Sequence, residues 1–120
     1  MKKIYSFLLM FLSFTLFSAQ TYNVTFQLNT ASIISGGGSI ATSMYVGGGV
    51  VGDAMALQLS DSDGDGVWTG TVAFPAAGGQ FTFLNSPTNG GDWGTKENIA
   101  GLPCAYPPYS DRELPALTSV

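Results

Sequence analysis

Past residue 20 the chain alternates. In "YNVTFQL" (22–28), Tyr22, Val24, Phe26 and Leu28 fall on one side and Asn23, Thr25 and Gln27 on the other. That period of two is the pattern of a strand with one buried face. The next stretch, "NTASIISGGGSIATS", is mixed and glycine-rich and reads as loop. "MYVGG" (44–48) is a short β-rich run stopped by glycines. "AMALQLS" (54–60) sets Met55, Leu57 and Leu59 on one face and reads as a further strand, because no capping residue precedes it. In "VWTGTVAF" (67–74), Trp68, Val72 and Phe74 share a face with Gly70, so Trp68 is expected in the core. "PAAGG" has turn composition. "QFTFLN" (80–85) places Phe81 and Phe83 together.

From Ser86 the alternation fades. "SPTNGGDWGTKEN" is loop chemistry around a single Trp, and "GLPCAYPPYSDRELP" carries four prolines and is expected to be irregular. Tyr106 and Tyr109 in that segment could add aromatic surface, but packing against a sheet edge is the expected role. "ALTSV" reads as the start of a last strand. No stretch holds a helical period. Short strands punctuated by Gly and Pro predict an all-β sandwich.

The first twenty residues follow a different logic. Lys2 and Lys3 precede an apolar run from Ile4 to Phe17, and Ser18-Ala19-Gln20 follows. This order is that of a secretory signal, with Ala19 the last residue removed. The expected organisation is a signal peptide over 1–20 and one β-sandwich module over 21–120. The abrupt end at Val120 reads as a cut inside a longer protein, with neighbouring domains on the same polypeptide. The expected location is extracellular, secreted or at the cell surface.

Charge narrows the partners. Without Lys2 and Lys3 the module keeps two bases, Lys96 and Arg112, against eight acids, a net charge of −6. Nucleic acid and anionic membranes call for a basic patch, so neither is an expected partner, and no later run is long and apolar enough for membrane insertion. The chain has no His and one Cys, Cys104. Cys104 reads either as a small buried residue or as a thiol whose partner lies on another chain or beyond Val120. Asn23-Val24-Thr25 matches a glycosylation sequon, but it lies on a strand behind a bacterial-style export signal and is given no weight.

The most conspicuous chemistry is "DSDGDGVWTG" (61–70). Asp61, Asp63, Asp65 and Gly66 match the first half of an EF-hand-type calcium loop. The bidentate acid required at its twelfth position falls instead on Val72, and its ninth on Thr69. The Asp-Gly pairs suit a hairpin turn between two apolar runs. A plain turn is therefore expected, with a weak Ca²⁺ site on Asp61, Asp63 and Asp65 as the alternative; no other cofactor is expected. Catalysis is not expected either. Without His the usual base for a Ser or Cys nucleophile is missing, and the acids do not form a facing pair.

Taken in order, "MYVGG … DGDGVWTGTVAFPAAGGQFTFLN … DWGTKEN" resembles the starch-binding type of carbohydrate-binding module, the family-20 group and its relatives. It is especially similar to the repeated secreted modules of Bacteroidetes proteins. The likeness spans about residues 22–117 and includes the tail "ENIAGLPCAYPPYSDRELPAL", where the Cys of such modules usually pairs with another. The resemblance implies an immunoglobulin-like antiparallel β-sandwich that binds starch or another glycan without catalysis. It implies that Trp93 stacks on a sugar ring, with Glu97 and Asn98 near the polar positions. Two departures stand out: "GGGVVGDAM" carries no aromatic where the family has an earlier Trp, and Thr82 occupies the position of a family Lys. From the residues alone, Trp93 either caps one end of the sandwich or faces a ligand. The alternative to a glycan binder is a structural or adhesive spacer repeat, calcium-stiffened at its acidic turn.

Overall fold

A computed structural model describes residues 20–118. The signal segment expected over 1–20 lies outside the described residues, Gln20 excepted. The described chain is an all-β sandwich of two antiparallel sheets. Its strands are β1 (Thr21–Asn29), β2 (Met44–Gly48), β3 (Gly52–Gln58), β4 (Val67–Pro75), β5 (Gly79–Asn85) and β6 (Arg112–Leu114), with one helical turn, α1 (Ala31–Ser35). β1 pairs with β4, and the second sheet has the order β3-β2-β5-β6.

The alternating faces seen in the sequence meet in the interior. Phe26 on β1 and Phe74 on β4 face Phe81 and Phe83 on β5, with ring centroids 4.9 Å apart for Phe26–Phe81 and 6.1 Å for Phe26–Phe83. Met44, Val46 and Leu59 complete this core, with Trp68 and Val72 packed against it. Each buried Phe stabilises the fold by about 2–3 kcal/mol over leaving it in water. Gly70 is part of the fit: a Cβ there would come within 2.7 Å of the buried Leu59 side chain.

A second, smaller cluster, Tyr45, Ala54 and Leu84, lies apart from this core. Met55 packs there rather than with Leu57 and Leu59, which corrects the single face expected for those three. The cause is a register shift between β2 and β3 at Val46/Gly48, since extra residues in one strand change which face its side chains meet. The long connection after β5 bonds back onto the sheet through Ala54 N–H to the Gly90 carbonyl and Asn85 N–H to the Thr95 carbonyl. That connection carries Trp93.

Three further expectations change. The stretch read as loop contains α1, whose first turn is started by Asn29 Oδ1 accepting the Ala31 N–H and stopped by Gly36 to Gly38. The last strand is Arg112–Leu114, inside the segment read as irregular, while residues 115–118 form no strand. Cys104 is exposed, not buried.

Candidate functional site

Three segments distant in sequence enclose a cavity of about 420 Å³ lined by Gly48, Gly49, Gly52, Trp93, Lys96, Tyr109 and Asp111. Its floor is the β2–β3 turn. Gly48, Gly49 and Gly52 all have positive φ, at 74°, 50° and 141°, a region that other residues enter at a cost. A Cβ on Gly48 would stand 3.6 Å from Asp111 Oδ2 and 3.7 Å from the Trp93 ring. The bare glycine leaves that space open.

Trp93 is held by a braced loop. The Asp92 carboxylate accepts the Thr88 N–H at 2.9 Å, the Thr88 hydroxyl at 3.1 Å and the Gly94 N–H at 3.2 Å. The Thr88 amide, then its hydroxyl, hold the Asp92 carboxyl below its ordinary value. Trp93 is nevertheless 43% exposed, much of its apolar surface standing in water beside the cavity.

The third wall is a small hairpin closed by the Tyr106–Asp111 bridge. Ser110 takes a left-handed conformation, φ 57°, and the turn delivers Tyr109 to the cavity at 72% exposure. Tyr106 is also exposed. Tyr109 is thus mostly exposed, whereas Tyr106 lies beside Arg112 and Glu113 of the edge strand β6. Lys96 crosses between walls: its Nζ lies 2.6 Å from Asp111 Oδ1 and donates to the Tyr109 carbonyl. Beside it, Arg112 clasps Glu97 through Nε at 3.0 and 2.9 Å and through Nη2 at 2.7 Å. Arg112 also stands over the Phe83 ring, 5.4 Å from its centroid, a favourable cation–π distance. Hydrogen bonding to Glu97 holds the guanidinium above its ordinary value. The two pairs arise from topology: β6 and the segment around Lys96 both pair with β5, at Phe81 and at Leu84.

Of the three residues suggested for sugar binding, the structure brings only Trp93 to the cavity. Glu97 uses its carboxylate on Arg112 and on the Phe83 N–H, at 2.9 Å. Asn98 is exposed and folds its Oδ1 onto the Ala100 N–H. Lys96, Tyr109 and Asp111 were missed by the sequence reading. One signal was present: Lys96 is one of only two bases past residue 20.

The acidic turn is a separate object. Asp61, Asp63 and Asp65 bring carboxylate oxygens within 4.8 Å of one another. Those oxygens are turned on the backbone: Asp61 accepts the Asp65 and Gly66 N–H groups, Asp63 that of Asp65, and Asp65 that of Val67. Thr30 fastens the turn to β1 through its N–H and hydroxyl, both on the Gly66 carbonyl at 2.9 Å. The Asp65 amide draws the Asp63 carboxyl down, but its acidic neighbours outweigh that and leave it raised. The Val67 amide holds Asp65 low.

Compared with protein-family models, with curated proteins and with solved structures, the chain matches none.

Proposed function

We propose that this chain is a non-catalytic, extracellular glycan-binding module of a larger secreted or surface protein. The observation that carries this reading is the exposed Trp93 ring beside a glycine-floored cavity that also presents Tyr109, Lys96 and Asp111. Sugars bind where an apolar ring face meets an aromatic side chain and hydroxyls meet nearby polar groups. A cavity of this size lies within the range of small-molecule sites. The resemblance to starch-binding modules supports the same reading. The strand orders β1-β4 and β3-β2-β5-β6 are compatible with the immunoglobulin-like sandwich that this resemblance implies.

Affinity electrophoresis through gels containing starch and other polysaccharides tests the proposal. Retardation by at least one polymer is expected. Trp93→Ala should weaken it by about 1.5–3 kcal/mol, one to two orders of magnitude in Kd, through lost stacking and apolar contact. The Tm should stay within a few degrees, because Trp93 belongs to neither buried cluster. Migration unaffected by any polysaccharide removes the reading.

A second reading, a structural spacer stiffened by Ca²⁺, draws on the proximity of Asp61, Asp63 and Asp65. It requires Ca²⁺ to raise the Tm of the protein.

A further inference from the structure

We propose that Asp111 is a specificity-determining residue of the cavity. It cancels Lys96, so that the site takes an uncharged sugar unit and turns away glycans carrying carboxylate or sulfate. This rests on the glycan-binding reading and names the class of glycan.

The argument begins with the Lys96–Asp111 pair. Their side chains are only 18% and 7% exposed, so each charge sits largely out of water and in contact with the other. Lys96 has three donors. One is given to Asp111 Oδ1 and another to the Tyr109 carbonyl, leaving one for a ligand. Asp111 Oδ2 lies over Gly48, where no side chain intervenes, and is an acceptor facing the cavity. The lining thus presents a donor and an acceptor with no net charge. A pair of sugar hydroxyls, which both donate and accept, matches that arrangement. An anionic group does not, because its charge would be desolvated against an already neutralised lysine.

Nothing else in the neighbourhood supplies positive charge. Arg112, the second base, is clasped by Glu97 and does not line the cavity. Once the two ion pairs are set aside, the described residues keep six acids and no base: Asp53, Asp61, Asp63, Asp65, Asp92 and Glu113. The charge left over is therefore negative, which disfavours an approaching anion.

The test is affinity electrophoresis of the purified protein at about 0.15 M salt, where long-range attraction is damped. Neutral gels contain soluble starch, mixed-linkage β-glucan or galactomannan; anionic gels contain polygalacturonate or chondroitin sulfate. The wild type should be retarded by at least one neutral polymer and by neither anionic one. Asp111→Asn keeps the shape and an acceptor for Lys96 but frees its charge. It should gain retention on polygalacturonate, with Kd lowered about tenfold or more. Adding Lys96→Met should abolish the gain. Wild-type retention on an anionic polymer as strong as on neutral ones would overturn the assignment while leaving glycan binding intact, and it needs no variant to observe. A folded Asp111→Asn that gains nothing on polygalacturonate overturns it too. Retention on no polymer removes glycan binding itself, and the assignment with it.

Discussion

The acidic turn and the aromatic cavity are opposite kinds of site. In the turn, the carboxylate bonds join residues two to five apart, and Asp61, Asp63 and Asp65 serve their own backbone. Beside the cavity the Glu97–Arg112 brace spans fifteen residues, and Trp93 meets Gly48 across the β2–β3 turn and a long loop. The turn is loud in the sequence and chemically occupied by itself. The cavity is quiet in the sequence and leaves an aromatic ring, a donor and an acceptor turned outward. Local satisfaction makes structure; groups brought together from afar and left incompletely used make a site.

If that contrast holds, cutting a long-range brace should cost more than cutting a local cap. Glu97→Ala strands Arg112 and the Phe83 amide together. The pair is half-shielded, with side chains 18% and 39% exposed, so the cost lies between exposed and buried ion pairs, at about 2 kcal/mol. A Tm drop of roughly 8–16 °C is expected for a domain of this size, with glycan retardation weakened as the cavity walls loosen. Trp93→Ala sharpens the contrast from the other side, weakening retardation by one to two orders of magnitude in Kd with little change in Tm. Asp61→Ala removes the acceptor for two turn amides and should cost about 1 kcal/mol, with retardation unchanged. A loss of glycan binding in Asp61→Ala would show that turn and cavity are coupled, and the contrast would fail. Calcium comes next: with an oxygen of each carboxylate bonded to the backbone, the turn should show a Tm in millimolar Ca²⁺ equal to that in chelator. A clear rise would favour the spacer reading, because a ligand bound only by the native state stabilises it.

Much of the sandwich was legible because its strands carry period-two alternation. Phe26, Phe74, Phe81 and Phe83 were all placed on their correct faces by that rule alone. Met55 was not, because a register shift between paired strands leaves no mark in the local pattern. β6 escaped for a related reason. "REL" is short and charged, and it pairs as a strand because Arg112 meets Glu97 and lies over Phe83, contacts made only after folding. The cavity was the least legible part. Trp93 was singled out as an aromatic in a loop, but Tyr109 looked like one more residue of a proline-rich tail. Glu97 had the right type and neighbourhood for a sugar contact, yet the chain's one guanidinium, that of Arg112, claims it. Proximity in sequence says which groups are near each other, not which of them is already spent.

The smallest expected effects separate the two regions by sign. The raised carboxyl of Asp63 means that the folded chain holds that proton more tightly than the unfolded chain does. Stability is therefore lost as pH rises from about 3.9, the ordinary aspartate value, through the raised one. At neutral pH the ionised Asp63 opposes folding, and Asp63→Asn, which keeps an acceptor for the Asp65 amide, should raise the Tm slightly. Asp92, beside the cavity, has the reverse sign. Its lowered carboxyl contributes stability that is present above about pH 3.9 and lost as pH falls through its folded value. Asp92→Asn should lower the Tm at neutral pH, because the Thr88 and Gly94 amides then face a neutral acceptor. Thermal melts of both variants against pH should diverge from the wild type in opposite directions above pH 5 and converge on it at the acid end. Two shifts of the same sign would mean that the carboxylates of the turn support its structure as those of the cavity loop do, and that crowding them costs the fold nothing.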